Sequence, residues 1–255
     1  MNCNNKIADF IQVGNTFAVC TIVRTKGSTP RKSGAKMIVM PNGNIVGSIG
    51  GGNLEKKVIE DALTCIKKNK SEYFQHDLLH RHAMCCGGTV EIFIEFFMPE
   101  KKLFIFGAGH TGAALANFAV TVGFDVFLID DRKEQFGSDL HSDIHKMPME
   151  FNLALQAIQF GPNTYIAIMT YEHETDREIL GYCVGKEYAY LGMIGSQRKV
   201  EITKKMFTDA GLADASMLEK VDMPMGININ AQDPHEIAIS ILAKLITIKN
   251  KNLHE

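Results

Sequence analysis

Apolar residues recur along the chain in two rhythms. In the first part, residues 6–13 carry a short helical pattern, and the β-branched run over 16–23 predicts a buried strand. Residues 35–40 and 45–49 flank Asn42-Gly43, a step suited to the tight turn of a hairpin. From 54 to 68, Leu54, Val58, Ile59, Ala62, Leu63 and Ile66 share one face of a helix. Residues 89–98 alternate Val90, Ile92 and Ile94 with Glu91, Phe93 and Glu95, the period of a strand. Pro99-Glu100-Lys101-Lys102 breaks that rhythm and divides the chain into domains over 1–99 and 103–255. In the second part, apolar strands over 103–106, 125–129, 165–169 and 190–194 alternate with helical stretches, the last over 234–248. That alternation predicts a parallel sheet with helices on both faces, beside a smaller N-terminal α/β domain.

The loops between these elements carry the candidate chemistry. Gly107-Ala108-Gly109-His110-Thr111-Gly112 lies between a strand and a helix, and Asp130 ends the next strand. This is the dinucleotide fingerprint of a Rossmann fold: Gly107 for the turn, Gly109 for phosphate approach, Gly112 for helix packing, Asp130 for a ribose 2′-hydroxyl. Any dinucleotide bound is expected to be NAD rather than NADP, with Arg132 a rival reader of phosphate. Gly50-Gly51-Gly52 opens the helix of the first domain, where unshielded N–H groups form a nest for an anion such as phosphate. The polar segment over 25–32 reads equally as a surface loop or as a phosphate clamp built on Ser28, Thr29 and Arg31.

Three further clusters remain. Ser196 is a candidate N-cap, and Arg198 and Lys199 follow in the first helical turn, where cations oppose the helix dipole and an anionic ligand would relieve them. Cys85-Cys86-Gly87-Gly88 follows His80 and His82, which allows a zinc site. The glycine pair instead exposes Cys86 and lends it N–H groups, the setting of a reactive thiol; Cys3, Cys20, Cys65 and Cys183 lack it. Glu172, His173 and Asp176 stand at the carboxyl end of a parallel strand as acid–base candidates or helix caps.

Composition narrows the function. Apolar residues make up 45% and charged residues 22%, as in ordinary globular proteins. Lys+Arg 27 against Asp+Glu 29 gives a net charge of −2, which argues against nucleic-acid partners and a polybasic membrane patch. No 18-residue apolar run provides a membrane span. Six irregularly spaced cysteines and an N-terminus without a cationic or apolar leader point to the cytosol.

Taken in order, Gly27-Ser28-Thr29-Pro30-Arg31, Gly47 to Gly52 with Glu55, Cys86-Gly87-Gly88, Gly107 to Gly112, His173 with Asp176, Gly195-Ser196 with Arg198-Lys199, and Glu236-Ile237-Ala238 resemble the XdhC/CoxI family, the xanthine dehydrogenase accessory proteins. The resemblance implies a small N-terminal domain joined to a Rossmann domain. It also implies a chaperone that binds the molybdenum cofactor (molybdopterin), promotes its sulfuration and delivers it to a molybdenum hydroxylase. The cofactor phosphate is then expected on the glycine nest and Arg31, with Cys86 contacting molybdenum or passing sulfur. No residue set here makes a persulfide unaided, so a cysteine desulfurase is the expected sulfur donor, and a homodimer the expected assembly. Cys85 beside Cys86, and Tyr171 where a His is expected, depart from the family pattern. The competing reading is an NAD(P)-dependent oxidoreductase in which His110 or His173 moves a proton.

Overall fold

The structure is a computed structural model that describes residues 3–78 and 88–250. The chain separates into two compact units, Met1–Pro99 and Glu100–Glu255.

Unit 1 runs α1 (Cys3–Val13), β1 (Phe17–Lys26), β2 (Lys36–Val39), β3 (Ile45–Gly47), α2 (Gly52–Lys67), β4 (Glu72–Asp77) and β5 (Thr89–Phe97). The strands form one antiparallel sheet in the order β3-β2-β1-β5-β4. Alternation sorts the side chains of β1 to two faces. Ala18, Cys20 and Ile22 meet Leu54, Val58, Ala62 and Cys65 of α2, while Phe17 and Val19 meet Ile7 and Phe10 of α1. Strand β4 has no counterpart in the sequence pattern. It is an edge strand of polar and aromatic residues, with Tyr73 exposed and His76 buried, so it carries no clean apolar alternation.

Unit 2 runs β6 (Lys102–Phe106), α3 (His110–Thr121), β7 (Asp125–Asp130), a 3-10 turn at Lys133–Gln135, β8 (His145–Pro148), α4 (Phe151–Ala157), β9 (Gly161–Ile168), α5 (His173–Cys183), β10 (Tyr188–Met193), α6 (Gln197–Asp209), α7 (Ala215–Leu218) and α8 (Pro234–Asn250). All pairings in its sheet are parallel, in the order β10-β9-β6-β7-β8. This is the doubly wound Rossmann arrangement, in which the strand order reverses between β6 and β9. Leu103, Ile105, Val126 and Leu128 pack on α3 and α8, and Phe104, Phe106, Ile166 and Ile168 pack toward α4, α5 and α6. Helices thus cover both faces, as the near-continuous apolar strands require. The short edge strand β8, with a proline and two exposed polar residues, escaped the pattern.

Candidate functional site

In unit 1 the loops named from sequence come together. A Cβ on Gly50 would lie 2.8 Å from Pro30 Cβ, and one on Gly88 would lie 2.3 Å from Ser28 O. The segment over 27–31 therefore packs against both the glycine loop and the start of β5. Ser28 and Arg31 are exposed there. Thr29 Oγ1 donates to Arg31 O at 3.0 Å, which shapes the loop. Cys86 and its neighbours over 79–87, including His80, His82 and Cys85, lie outside the described residues.

The glycine nest exists, but the chain fills it. Gly50, Gly51 and Gly52 take φ values of 137°, 78° and 64°, all in the left-handed region. The N–H groups of Ile49, Gly50 and Gly51 point at Glu55 Oε1, at 3.1, 3.3 and 2.9 Å, and Ser48 Oγ donates to the same oxygen at 2.5 Å. Burial alone would raise the Glu55 pKa; the Ser48 hydroxyl and the three amides outweigh it and hold the carboxyl below its ordinary value. Three of the N–H groups around the nest, those of Ile49, Gly50 and Gly51, are thus engaged by a carboxylate one helical turn downstream.

In unit 2 the three fingerprint glycines divide their work. A Cβ at Gly107 would sit 2.2 Å from Met169 O, and one at Gly112 would sit 1.9 Å from Gly107 O, whereas Gly109 faces open space. Gly107 thus permits backbone contact between the segments leaving β6 and β9, and Gly112 lets α3 close on the Gly107 carbonyl. Gly109 alone leaves room at the α3 N-terminus, next to the exposed His110.

Asp130 is fully buried and already engaged. It accepts from the Ala108 N–H at 2.7 Å, the Arg132 N–H at 3.0 Å, Arg132 Nε at 2.9 Å and Arg132 Nη2 at 3.0 Å. A carboxylate offers about four acceptor sites, and these bonds occupy them. Burial would raise its pKa, but the Arg132 side chain, followed by the Ala108 and Arg132 amides, holds it down. The expected ribose acceptor thus ties the glycine loop to the end of β7. The Arg132 guanidinium lies 4.1 Å over the Tyr171 ring, and Tyr171 donates to Asp131 Oδ2 at 3.0 Å.

Beyond β9, Asp176 is 2% exposed. Its Oδ1 accepts from the Thr170 N–H at 2.9 Å and the Thr170 hydroxyl at 2.7 Å. Oδ2 is buried, makes no hydrogen bond among the described residues, and faces His173 Nδ1 at 3.6 Å. His173 Nε2 meets Lys199 Nζ. Burial raises the Asp176 pKa against the pull of these partners. The three residues border a cavity of about 100 Å³ floored by Met193, Ile194 and Ile202. Asp176 is therefore a loop brace for Thr170 as well as an acid facing a histidine. Ser196 caps α6 by accepting from the Lys199 N–H at 3.4 Å, and Arg198 is exposed in the same turn.

Sequence reasoning missed a second, larger cavity of about 460 Å³. It lies between the β10–α6 loop (Ile194, Gly195, Gln197), the segment over 224–231, and Ile237 and Ser240 of α8. The signal was present as Asn228 and Asn230 alternating with Ile227 and Ile229, but nothing local marks such a segment as a wall. Among the described residues, no group of three or more His, Cys, Asp or Glu is placed to hold a metal ion, and no helix is long and apolar enough to cross a membrane.

An antiparallel-sheet unit with a self-filled glycine nest, followed by a Rossmann unit with an internally engaged acid, defines a two-unit protein class. The model of the XdhC Rossmann domain matches residues 103–245, and that of the XdhC and CoxI family matches residues 10–78. The chain belongs to the XdhC and CoxI family. It is 34% identical to the uncharacterized protein YqeB of Escherichia coli K12, over 98% of this chain and 47% of that protein. It is 28% identical to a probable xanthine dehydrogenase subunit of Bacillus subtilis, over 64% of this chain and 47% of that protein. The matches thus take in about half the length of each of these two relatives. The molybdenum cofactor insertion chaperone PaoD of Escherichia coli K12 is 19% identical over 92% of this chain and 84% of its own. A crystal structure of a xanthine dehydrogenase from Bacillus halodurans shares the fold, with a TM-score of 0.52 at 22% identity, over 98% of this chain and 96% of that one.

Proposed function

We propose that the protein is a molybdenum-cofactor accessory factor, which takes up the cofactor, supports its sulfuration and passes it to a molybdenum hydroxylase of the xanthine dehydrogenase class. The observation that carries this reading is family membership across both units of one chain. The names borne by the Bacillus subtilis relative and by PaoD agree with it.

The cargo is a pterin bearing a phosphate and a molybdenum held by sulfur. The chain's residues fit it in part. Glu55 accepts from the Ile49, Gly50 and Gly51 N–H groups, so Arg31 and Ser28, exposed beside them, are the groups we assign to the phosphate. Cys86 is assigned to the metal or to sulfur handling, because the glycine pair that follows it in the sequence is the setting of a reactive thiol. The sulfur comes from a cysteine desulfurase. The protein acts in the cytosol, as a homodimer, and as a maturation factor rather than a self-sufficient enzyme. The oxidoreductase alternative is less well supported, since the Asp130 carboxylate is already engaged by Ala108 and Arg132.

The test is co-expression with a molybdenum hydroxylase, measuring the sulfurated fraction of the client with wild type, with Cys86→Ala and without the protein. Wild type is expected to raise the fraction and Cys86→Ala to lose most of that gain. An unchanged fraction with and without wild type would overturn the reading.

A further inference from the structure

We infer that the smaller cavity of unit 2, bordered by the first turns of α5 and α6, binds a short-chain carboxylate of about three or four carbons, with its charge on Arg177 and Lys199 and its alkyl end on the apolar floor. The inference stands apart from the accessory reading, because it follows from the groups that line the cavity.

The charge is left over from the fold. Helix α6 opens with Arg198 and Lys199 and has no acid in its first turn, so both cations oppose its dipole until an anion lies beside them. Lys199 and Arg177 border the cavity, and among the described residues neither forms an ion pair and Arg177 makes no hydrogen bond. Thr203 borders it too; it is 4% exposed, and its hydroxyl makes no hydrogen bond among the described residues. A buried hydroxyl without a partner is costly, and a ligand oxygen removes that cost.

The site is braced from the interior. The Thr170 N–H and hydroxyl take up Asp176 Oδ1, which leaves the buried Oδ2 without a hydrogen bond among the described residues and facing His173 Nδ1 at 3.6 Å. His173 Nε2 meets Lys199 Nζ. An ammonium can donate only to an unprotonated ring nitrogen, so the ring carries its hydrogen on Nδ1, toward Asp176. One N–H of Lys199 is spent on the ring and two remain for an anion. Asp176 and His173 are thus positioning residues for Lys199.

The floor selects among anions. Met193, Ile194 and Ile202 offer side chains with no strong donor. Phosphate and sulfate carry charge on every side, and oxygens turned to that floor would lose water without replacement. A carboxylate keeps its charge at one end, and its alkyl end gains by leaving water. An amino acid would bring an ammonium to a rim that already holds two cations. An apolar cavity of roughly 150 Å³ takes up benzene, with six carbons, so about 100 Å³ suits a body of about four.

The experiment follows the methyl resonances of Met193, Ile194 and Ile202 in the full chain at constant ionic strength, with butyrate, inorganic phosphate and butanol as probes. Butyrate should give saturable shifts with a Kd on the order of 1 mM, as a ligand this small allows, and phosphate and butanol should bind about tenfold more weakly. Lys199→Met keeps the stem and the backbone N–H that Ser196 caps, and should weaken butyrate about fivefold or more. Thr203→Val keeps the shape without the hydroxyl and should weaken it about threefold or more. His173→Ala should weaken butyrate but leave butanol, which needs only the floor, unchanged; equal loss of both would make His173 a structural residue and overturn the positioning chain. Ring ¹⁵N resonances of wild type should show the Nδ1–H form of His173, and the Nε2–H form would overturn that chain as well. No saturable shift with butyrate, phosphate or butanol binding as tightly as butyrate, or either Lys199→Met or Thr203→Val binding butyrate like wild type would overturn the site.

Discussion

Replacing Glu55 tests whether the glycine nest serves the fold or a ligand. Its Oε1 accepts from three backbone N–H groups and the Ser48 hydroxyl, and the Ile49 end of that set is fully buried. In Glu55→Ala the Ile49 N–H loses its acceptor where water does not reach, at about 1–3 kcal/mol. The half-buried Gly50 and Gly51 amides are re-solvated at smaller cost, and loss of a carboxylate in the first turn of α2 adds about 0.3–1 kcal/mol. The expected destabilisation of unit 1 is about 2–4 kcal/mol. Glu55→Gln keeps a carbonyl acceptor of the same reach and loses only the charge assistance, so about 1 kcal/mol is expected. The assay is amide hydrogen exchange across 47–58 combined with urea unfolding. The pH dependence follows from the direction of the shift. The folded carboxyl titrates below its ordinary value of 4.5, so its contribution is full above that pH and is lost as pH falls through the lowered value. The gap between wild type and Glu55→Gln should therefore close below pH 4.5. Variants within about 0.5 kcal/mol of wild type, a typical surface substitution, would refute the reasoning. So would millimolar phosphate protecting the 49–51 amides of wild type from exchange.

Other outcomes follow from the Rossmann unit. Gly107→Ala and Gly112→Ala should each cost about 3 kcal/mol or more in thermal unfolding, because the new Cβ meets backbone oxygen at 2.2 and 1.9 Å, while Gly109→Ala, which meets nothing, should fold normally. Asp176→Asn retains an acceptor for Thr170 and removes a buried charge, so its stability at pH 7–8 should equal or exceed wild type, whereas Asp176→Ala should lose about 1–3 kcal/mol by urea titration. NAD should bind wild type weakly by calorimetry, and Arg132→Ala, which frees one acceptor site on each Asp130 oxygen, should tighten it; strong NAD binding by wild type would contradict the engaged carboxylate. Burial pushes the Cys20 and Cys183 thiols up to about 12, so both should resist alkylation at neutral pH in the native protein, and labelling of either before unfolding would count against the packing.

Much of the architecture was legible along the chain because it rests on local rules. The change from antiparallel runs to strand–helix alternation near Pro99 follows from side-chain period alone. So does the placement of Gly107 to Gly112 between β6 and α3, since each period buries one face. The strands β4 and β8 were not legible, because an edge strand can be polar and its partner, not its own pattern, defines it. The fate of the polar groups was decided only in three dimensions. The glycines over 50–52 announced a nest, but the distance and angle of Glu55 determined which anion sits in it. Asp130 stood where a ribose acceptor is expected, yet the turn after β7 brings Arg132, and the glycine loop after β6 brings the Ala108 amide, within 3 Å of it. The carboxamide-lined cavity joins residues near 195, 228 and 240, which no window of sequence unites. A hydrophobic period is written residue by residue, whereas a hydrogen bond needs a partner, and partners distant in sequence meet only when the sheet and helices have packed.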